Sequence, residues 1–281
     1  MEVGRLEGQV MEIIPRRLVP SVIPVLLITA LPAGAGTYQE APVSHPGEIH
    51  GRVTLSGEVP EPAVFKIKDF PDQDYCMKKS DGKGNRVLQP VQLEEGGGLD
   101  NVVVAIEDVH GGKPFQMEGI QVNAENCEFI VQGGPSPLTG VMVDGVDFRV
   151  LNLDSNPNNP KEILGVTHNP QGFEIEGSKK SMIFNFLIST KGQNSKRRVK
   201  ITRANGYISV VCNIHNYMQV FFLPVENPYY SIAGKGGAYS IAGIPPGKYS
   251  VTVWNPVLGR LKKKVEILPD RESELNFNYE K

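Results

Sequence analysis

The sequence predicts an all-β protein, laid out as an antiparallel sandwich or barrel. Three observations lead there. Short apolar stretches alternate with period two instead of the helical 3.6. Turn formers interrupt them at short intervals. The 281 residues include 30 Gly and 22 Pro, a poor composition for long helices. The length allows one or two domains, each able to bury a core. With 40% hydrophobic and 21% charged residues the chain is not a disordered one. Lys plus Arg (29) nearly balance Asp plus Glu (31), leaving a net charge of −2, which argues against nucleic acid as the main partner.

In chain order, residues 1–35 read as a signal peptide. Arg16 and Arg17 precede an apolar run over 18–31, and Ala33-Gly34-Ala35 supplies a small-x-small cleavage pattern. Pro20 and Pro24 interrupt the run, which is short for a bilayer core of roughly 30 Å; a membrane-anchoring helix is the alternative. The general secretory and twin-arginine routes both stay open. No cysteine stands at the cleavage point for a lipid anchor. The expectation is a periplasmic or extracellular protein with no stable membrane span after cleavage.

Residues 36–46 read as a loose leader. Strands are expected at 47–57, 101–106, 119–122, 128–131, 141–143 and 146–153, with Asp144-Gly145 as a hairpin-type turn between the last two. Residues 60–98 show turn formers and charge without a period. A long loop is expected over 154–167. Strands follow at 172–176, 181–187, 198–202, 207–212, 219–223, 238–241, 248–254, 263–268 and 274–279. Phe184, Phe186, Phe221 and Phe222 read as sandwich core.

Three cysteines, Cys76, Cys127 and Cys212, leave one unpaired in an oxidising compartment. We pair Cys76 with Cys127 as a hypothesis; the connectivity is not readable from sequence, and two buried free thiols are the alternative. The chemically informative stretch is Ser209-Val210-Val211-Cys212-Asn213-Ile214-His215-Asn216-Tyr217-Met218. A strand runs into a thiol, an imidazole follows three residues on, and a thioether three after that. Thiolate, imidazole and thioether together suit a soft copper site, with two His and one Cys in a plane and Met weakly axial. A bare Cys-x-x-His could be half a zinc site instead. The second His must come from elsewhere among His45, His50, His110 and His168. His168, which opens His168-Asn169-Pro170 ahead of a strand, is the candidate; alone it would read as an ordinary loop histidine, and Met218 alone as a core methionine.

These residues resemble the cupredoxins, the plastocyanin- and azurin-like blue copper proteins. The likeness rests on His168-Asn169-Pro170, Ile183-Phe184-Asn185-Phe186, the run from Gly206 to His215, and Met218. Asn227-Pro228-Tyr229-Tyr230, Gly237-Ala238-Tyr239-Ser240-Ile241, Ile244-Pro245-Pro246-Gly247-Lys248-Tyr249 and Val253-Trp254 resemble a transthyretin- or carboxypeptidase-regulatory-like β-sandwich following such a domain. The resemblance implies an all-β fold: a cupredoxin-like Greek-key sandwich plus a second small sandwich. It implies His168, Cys212 and His215 as equatorial ligands of one type 1 copper and Met218 as the axial one. Asn169 would donate its backbone amide to the Cys212 sulfur. Gln171 and Asn216-Tyr217 depart from the pattern, in which a further His and a Pro-Trp often stand. The strand at 47–53 resembles the first strand of the regulatory-like module, so a discontinuous second sandwich (47–115 with 227–281) around a copper domain (116–226) is expected; two sequential domains are the alternative.

The function so implied is single-electron carriage between redox partners, such as a c-type cytochrome or a membrane oxidoreductase, without catalysis. A copper-delivery protein and a structural surface sandwich are the other readings. No glycine-framed nucleophilic serine, phosphate loop or His-Glu-x-x-His is present. Five histidines are too few for a multicopper oxidase or a copper nitrite reductase. Two weaker signals are the basic run Lys191, Lys196, Arg197, Arg198 and Lys200, a solvated face or an acidic partner's docking patch, and Asp72, Asp74 and Asp81, whose spacing lacks the pattern of a calcium loop.

Overall fold

The computed structural model describes Met1 and residues 38–155, 164–203 and 205–281. The signal peptide expected at 1–35 therefore lies outside the described residues except for Met1, as does most of the loop expected over 154–167. Residues 37–281 form one compact unit. Among the described residues no helix is long and apolar enough to cross a membrane.

Strands dominate, in four main sheets. Two of them face each other in the middle of the sequence. One runs Glu128–Val131, Ile120–Glu125, Asp147–Asn152, Asn194–Arg198. Its partner runs Thr139–Met142, Gln219–Pro224, Tyr207–Cys212, Pro170–Glu176, Lys179–Asn185. Alternation explains the packing: Ile120, Val122 and Ala124 point inward from one strand, and Phe148 and Val150 from its neighbour. Phe148 is fully buried, stacked on Phe184 at 4.8 Å and edge-on to Phe222 at 5.8 Å. Gly172 is required there, because a Cβ on it would meet the Phe184 ring at 2.4 Å.

Two further sheets form a second sandwich from both ends of the described chain. Ala238–Ile244, Gly47–Ser56 and the pair Glu272–Glu274 and Phe277–Glu280 make one. Tyr230–Ile232, Val103–Glu107, Gly247–Asn255 and Gly259–Ile267 make the other. Ile49, Val53, Val104, Val251, Val253 and Phe277 fill the space between them. A third apolar cluster, including Val103, Ala105, Phe221, Leu223 and Trp254, joins the two sandwiches back to back.

Several expectations are corrected. The sheets are mixed, not purely antiparallel: Ile120–Glu125 runs parallel to Asp147–Asn152, and Thr139–Met142 parallel to Gln219–Pro224. Asp144-Gly145 is a turn but not a hairpin, since the strands on either side belong to opposite sheets and the chain crosses between layers there. The strand expected at 198–202 lies earlier, at Asn194–Arg198. Carboxylates end it: Asp144 Oδ1 accepts the amide of Ile201, and Glu174 Oε1 those of Thr202 and Arg203, so these amides leave the ladder. Residues 164–168 are not loop but a strand paired with Ile188–Thr190. The aperiodic 60–98 region contains a hairpin, Ala63–Lys66 with Asn85–Leu88, whose connection carries helical turns at Ile67–Asp69, Gln73–Cys76 and Met77–Lys79. Ile67, Tyr75 and Cys76 from that connection are buried in the core of the middle sandwich, not in the second one. Cys76 and Cys127 are joined by a disulfide bond, with Cα atoms 5.4 Å apart.

Candidate metal centre

At one end of the middle sandwich, two neighbouring antiparallel strands deliver the central groups. Tyr207–Cys212 ends on the thiol, and Pro170–Glu176 pairs with it so that Pro170 faces Cys212. His168 therefore arrives beside the sulfur although 44 positions separate the two in sequence. The turn after Cys212 folds tightly: the Met218 amide donates to the His215 carbonyl at 2.8 Å, and the Cys212 amide to the Met218 carbonyl at 3.0 Å.

His168 Nδ1 stands 4.0 Å and His215 Nδ1 3.8 Å from Cys212 Sγ. All three donors lie within 4.8 Å of one another, and all three side chains are fully buried. A three-coordinate ion bonded at about 2.3 Å to sulfur and about 2.0 Å to nitrogen needs sulfur–nitrogen edges of about 3.7 Å. The donor set fits a soft transition-metal ion in size as well as in chemistry. Met218 is buried in the same loop. The Asn169 amide donates to Cys212 Sγ at 3.4 Å, and so does the amide of His215. Of the other histidines, His45 is on the surface against Asp270.

The outer nitrogens of both imidazoles meet oxygen. His168 Nε2 is 2.8 Å from Asp154 Oδ2, both side chains having no exposure. Asp154 also accepts the backbone amides of Asn126 and Cys127 and the Tyr75 hydroxyl. Asn126 and Cys127 both have positive φ, 52° and 54°, forming the tight turn before Glu128–Val131. His215 Nε2 lies 3.3 Å from the Pro71 carbonyl and 3.6 Å from Asp72 Oδ2. These partners were not singled out as such from sequence: Asp154 is an ordinary-looking aspartate at the start of a loop, and Asp72 suggested at most a calcium contact. The signal was chemical, since a metal-ligating imidazole almost always donates its other N–H to an oxygen.

Burial opposes charge throughout this cluster, but the partners outweigh it. Hydrogen bonds with His168 and His215 pull the Cys212 thiol down to about 6, and Asp154 and Cys212 push His168 up to about 9. Asp154 is held below the usual carboxylate range by His168 and by the two amides, against its burial. The metal-free site thus favours the thiolate, the form of cysteine that binds metals.

Two residues of the basic run are in ion pairs, Lys196 with Asp147 at 2.9 Å and Lys200 with Asp144 at 2.7 Å, and Arg197 lies over the Phe186 ring. Asp81 folds back on its own loop, accepting the amides of Lys83 and Asn85.

No protein-family model and no curated protein matches the chain. Solved structures with some likeness to the chain include copper proteins and a major pilin subunit of Bacillus cereus, the last 8% identical over 84% of this chain with a TM-score of 0.16. The copper nitrite reductase of Thermus scotoductus SA-01 is 15% identical, over 41% of this chain and 24% of its own length, with a TM-score of 0.28. A Cu(I) amicyanin variant is 15% identical over 43% of this chain and 98% of its own, with a TM-score of 0.25. A reduced amicyanin variant is 16% identical over the same shares, with a TM-score of 0.26. Likeness at this level says nothing of activity.

Proposed function

We propose that the protein is a mononuclear type 1 copper protein that carries single electrons. The observation that supports this best is the buried triangle of His168 Nδ1, Cys212 Sγ and His215 Nδ1. These residues, with Met218 as a weak fourth donor, would hold the ion, and the copper would supply a one-electron couple. The chain's part is to fix the donors. Both imidazoles are oriented through their outer nitrogens, and two backbone amides point at the sulfur. Such a cage changes little between oxidation states, which suits fast electron exchange. Full burial of all three donors counts against handing the ion to another protein, and so against the delivery reading.

On this reading the middle sandwich, roughly 116–226, is the copper domain, and 47–115 with 227–281 form the regulatory-like sandwich. The hairpin insert at 63–88 belongs with the copper domain by its packing. Export to the periplasm or the cell exterior and a protein redox partner complete the proposal. The test is the absorption and EPR spectrum of the copper-loaded protein. An intense visible thiolate-to-Cu(II) band, absent in Cys212→Ser, is expected. A fully copper-loaded but colourless protein would refute the reading.

A further inference from the structure

The connection between Ala63–Lys66 and Asn85–Leu88 reaches over the metal-site loop and touches both imidazole systems. Its Pro71 carbonyl and Asp72 carboxylate sit at His215 Nε2. Its Tyr75 hydroxyl donates to Asp154, the partner of His168. Phe70 packs edge-on against Tyr217 at 5.0 Å, and Phe65 does so at 6.2 Å. Asp72 takes up a left-handed backbone, φ 55°, uncommon outside glycine, and this conformation accompanies the placement of its carboxylate. One link fixes the segment itself to the turn that binds Asp154, and another fixes the flanking strand Asn85–Leu88 to the same turn. The first is the Cys76–Cys127 disulfide. The second is Arg86, which donates to the carbonyls of Asn126 and Cys127 at 3.2 and 3.0 Å.

We propose that Ile67–Lys79 is a tethered cover of the metal centre. It closes the imidazole edge of His215 and supplies the outer partner of that ligand. Its lifting is the opening that admits a small reagent or an ion to Cys212. The disulfide keeps that opening rare by holding the cover to the Asn126-Cys127 turn. The inference rests on the metal-centre reading for its biological meaning, but not for its test.

The test is thiol labelling of the full-length, metal-free protein with an aromatic disulfide reagent, since Cys212 is the free thiol. Three variants are compared with the unaltered chain. Cys76→Ser/Cys127→Ser removes the tether, Phe70→Ala loosens the cover with the disulfide intact, and Ile49→Ala weakens the distant second sandwich. Labelling that proceeds through local opening follows the open population. The first two variants should therefore label about tenfold faster or more, the third at the native rate. If the double variant does not fold by circular dichroism, Phe70→Ala decides. Native labelling rates in folded cover variants, or equal acceleration in Ile49→Ala, would overturn the cover. A missing visible band in the copper-loaded protein would sink the electron-carrier reading while leaving the labelling result in place.

Discussion

Each sandwich packs two sheets around β-branched and aromatic residues, yet they differ in what they bury among polar groups. In the second sandwich the buried polar side chains Asn101, Asn227, Thr252 and Asn255 are neutral, and two of them tie loops down. Asn227 donates to the Ile106 carbonyl at 2.8 Å, and Asn255 to that of Pro90 at 3.1 Å. The middle sandwich buries Asp154, His168, Cys212 and His215 together at one end, with Glu174 elsewhere in the same sheet. Buried charge is costly unless paired and hydrogen-bonded, and here each group has its partners. His168 and Asp154 partner each other, Cys212 accepts the amides of Asn169 and His215, and the remaining partners come from the 67–84 connection, the Asn126-Cys127 turn and the 201–203 segment. A β-sandwich is thus scaffold enough for a core, while this cluster of buried ionisable groups additionally draws on loops for its hydrogen bonds.

The contrast can be broken or sharpened by substitution. The largest effect is expected for Cys212→Ser, which should abolish the visible band altogether and leave the fold intact; a surviving band would place the thiolate elsewhere. Next, Phe148→Ala and Ile49→Ala open cavities in the two cores, at about 3–5 and 2–5 kcal/mol respectively. Thermal unfolding should register both, but only Phe148→Ala should broaden the copper spectrum; a spectral change in Ile49→Ala would show the halves to be coupled. Asp154→Asn should weaken copper binding about 10- to 100-fold, read by competition with a chelator. Unchanged affinity would mean that His168 needs no carboxylate. Glu174→Gln should cost about 1–3 kcal/mol at neutral pH, because three amide or hydroxyl donors and Arg203 lose a charged acceptor. Hydrogen bonds and Arg203 hold the Glu174 carboxyl below its ordinary range despite burial. Its contribution is therefore full above pH 4.5 and is lost as pH falls through the lowered folded value. The gap between variant and native in denaturant melts should close on acidification; a pH-independent gap would assign it to packing. Smallest of all, Lys196→Ala at its exposed pair with Asp147 should shift stability by less than about 0.5 kcal/mol.

Many strand positions and the stretch of the candidate site from Cys212 to Met218 are legible because both follow from local pattern. Alternation places residues 128–131 and 207–212 to the residue, and a Cys-x-x-His-x-x-Met spacing needs no tertiary information. His168 was legible only through chemical completion of that set. The outer partners were not, since Pro71, Asp72 and Tyr75 reach the site through a connection whose path depends on a disulfide and on Arg86. Nor was the end of the Asn194–Arg198 strand, where carboxylates at 144 and 174 capture amides that alternation would assign to a ladder. Sheet membership was hidden for a similar reason: Asp144-Gly145 has the composition of a hairpin whether the chain turns within a layer or between layers.

The place of the Gly47–Ser56 strand has a consequence for the order in which the molecule is made. Thr54 bridges to Gly98, but Glu48 meets Ser240, 192 positions later, and the strand's two parallel neighbours come later still. At synthesis rates of about 5–20 residues per second, that wait lasts on the order of 10 to 40 s. The donors of the candidate metal centre all precede residue 226, so a nascent chain that has exposed its first 226 residues, with the rest still inside the ribosome, could bring them together beside a strand edge that lacks its later partners, the kind of surface that recruits the wrong neighbour.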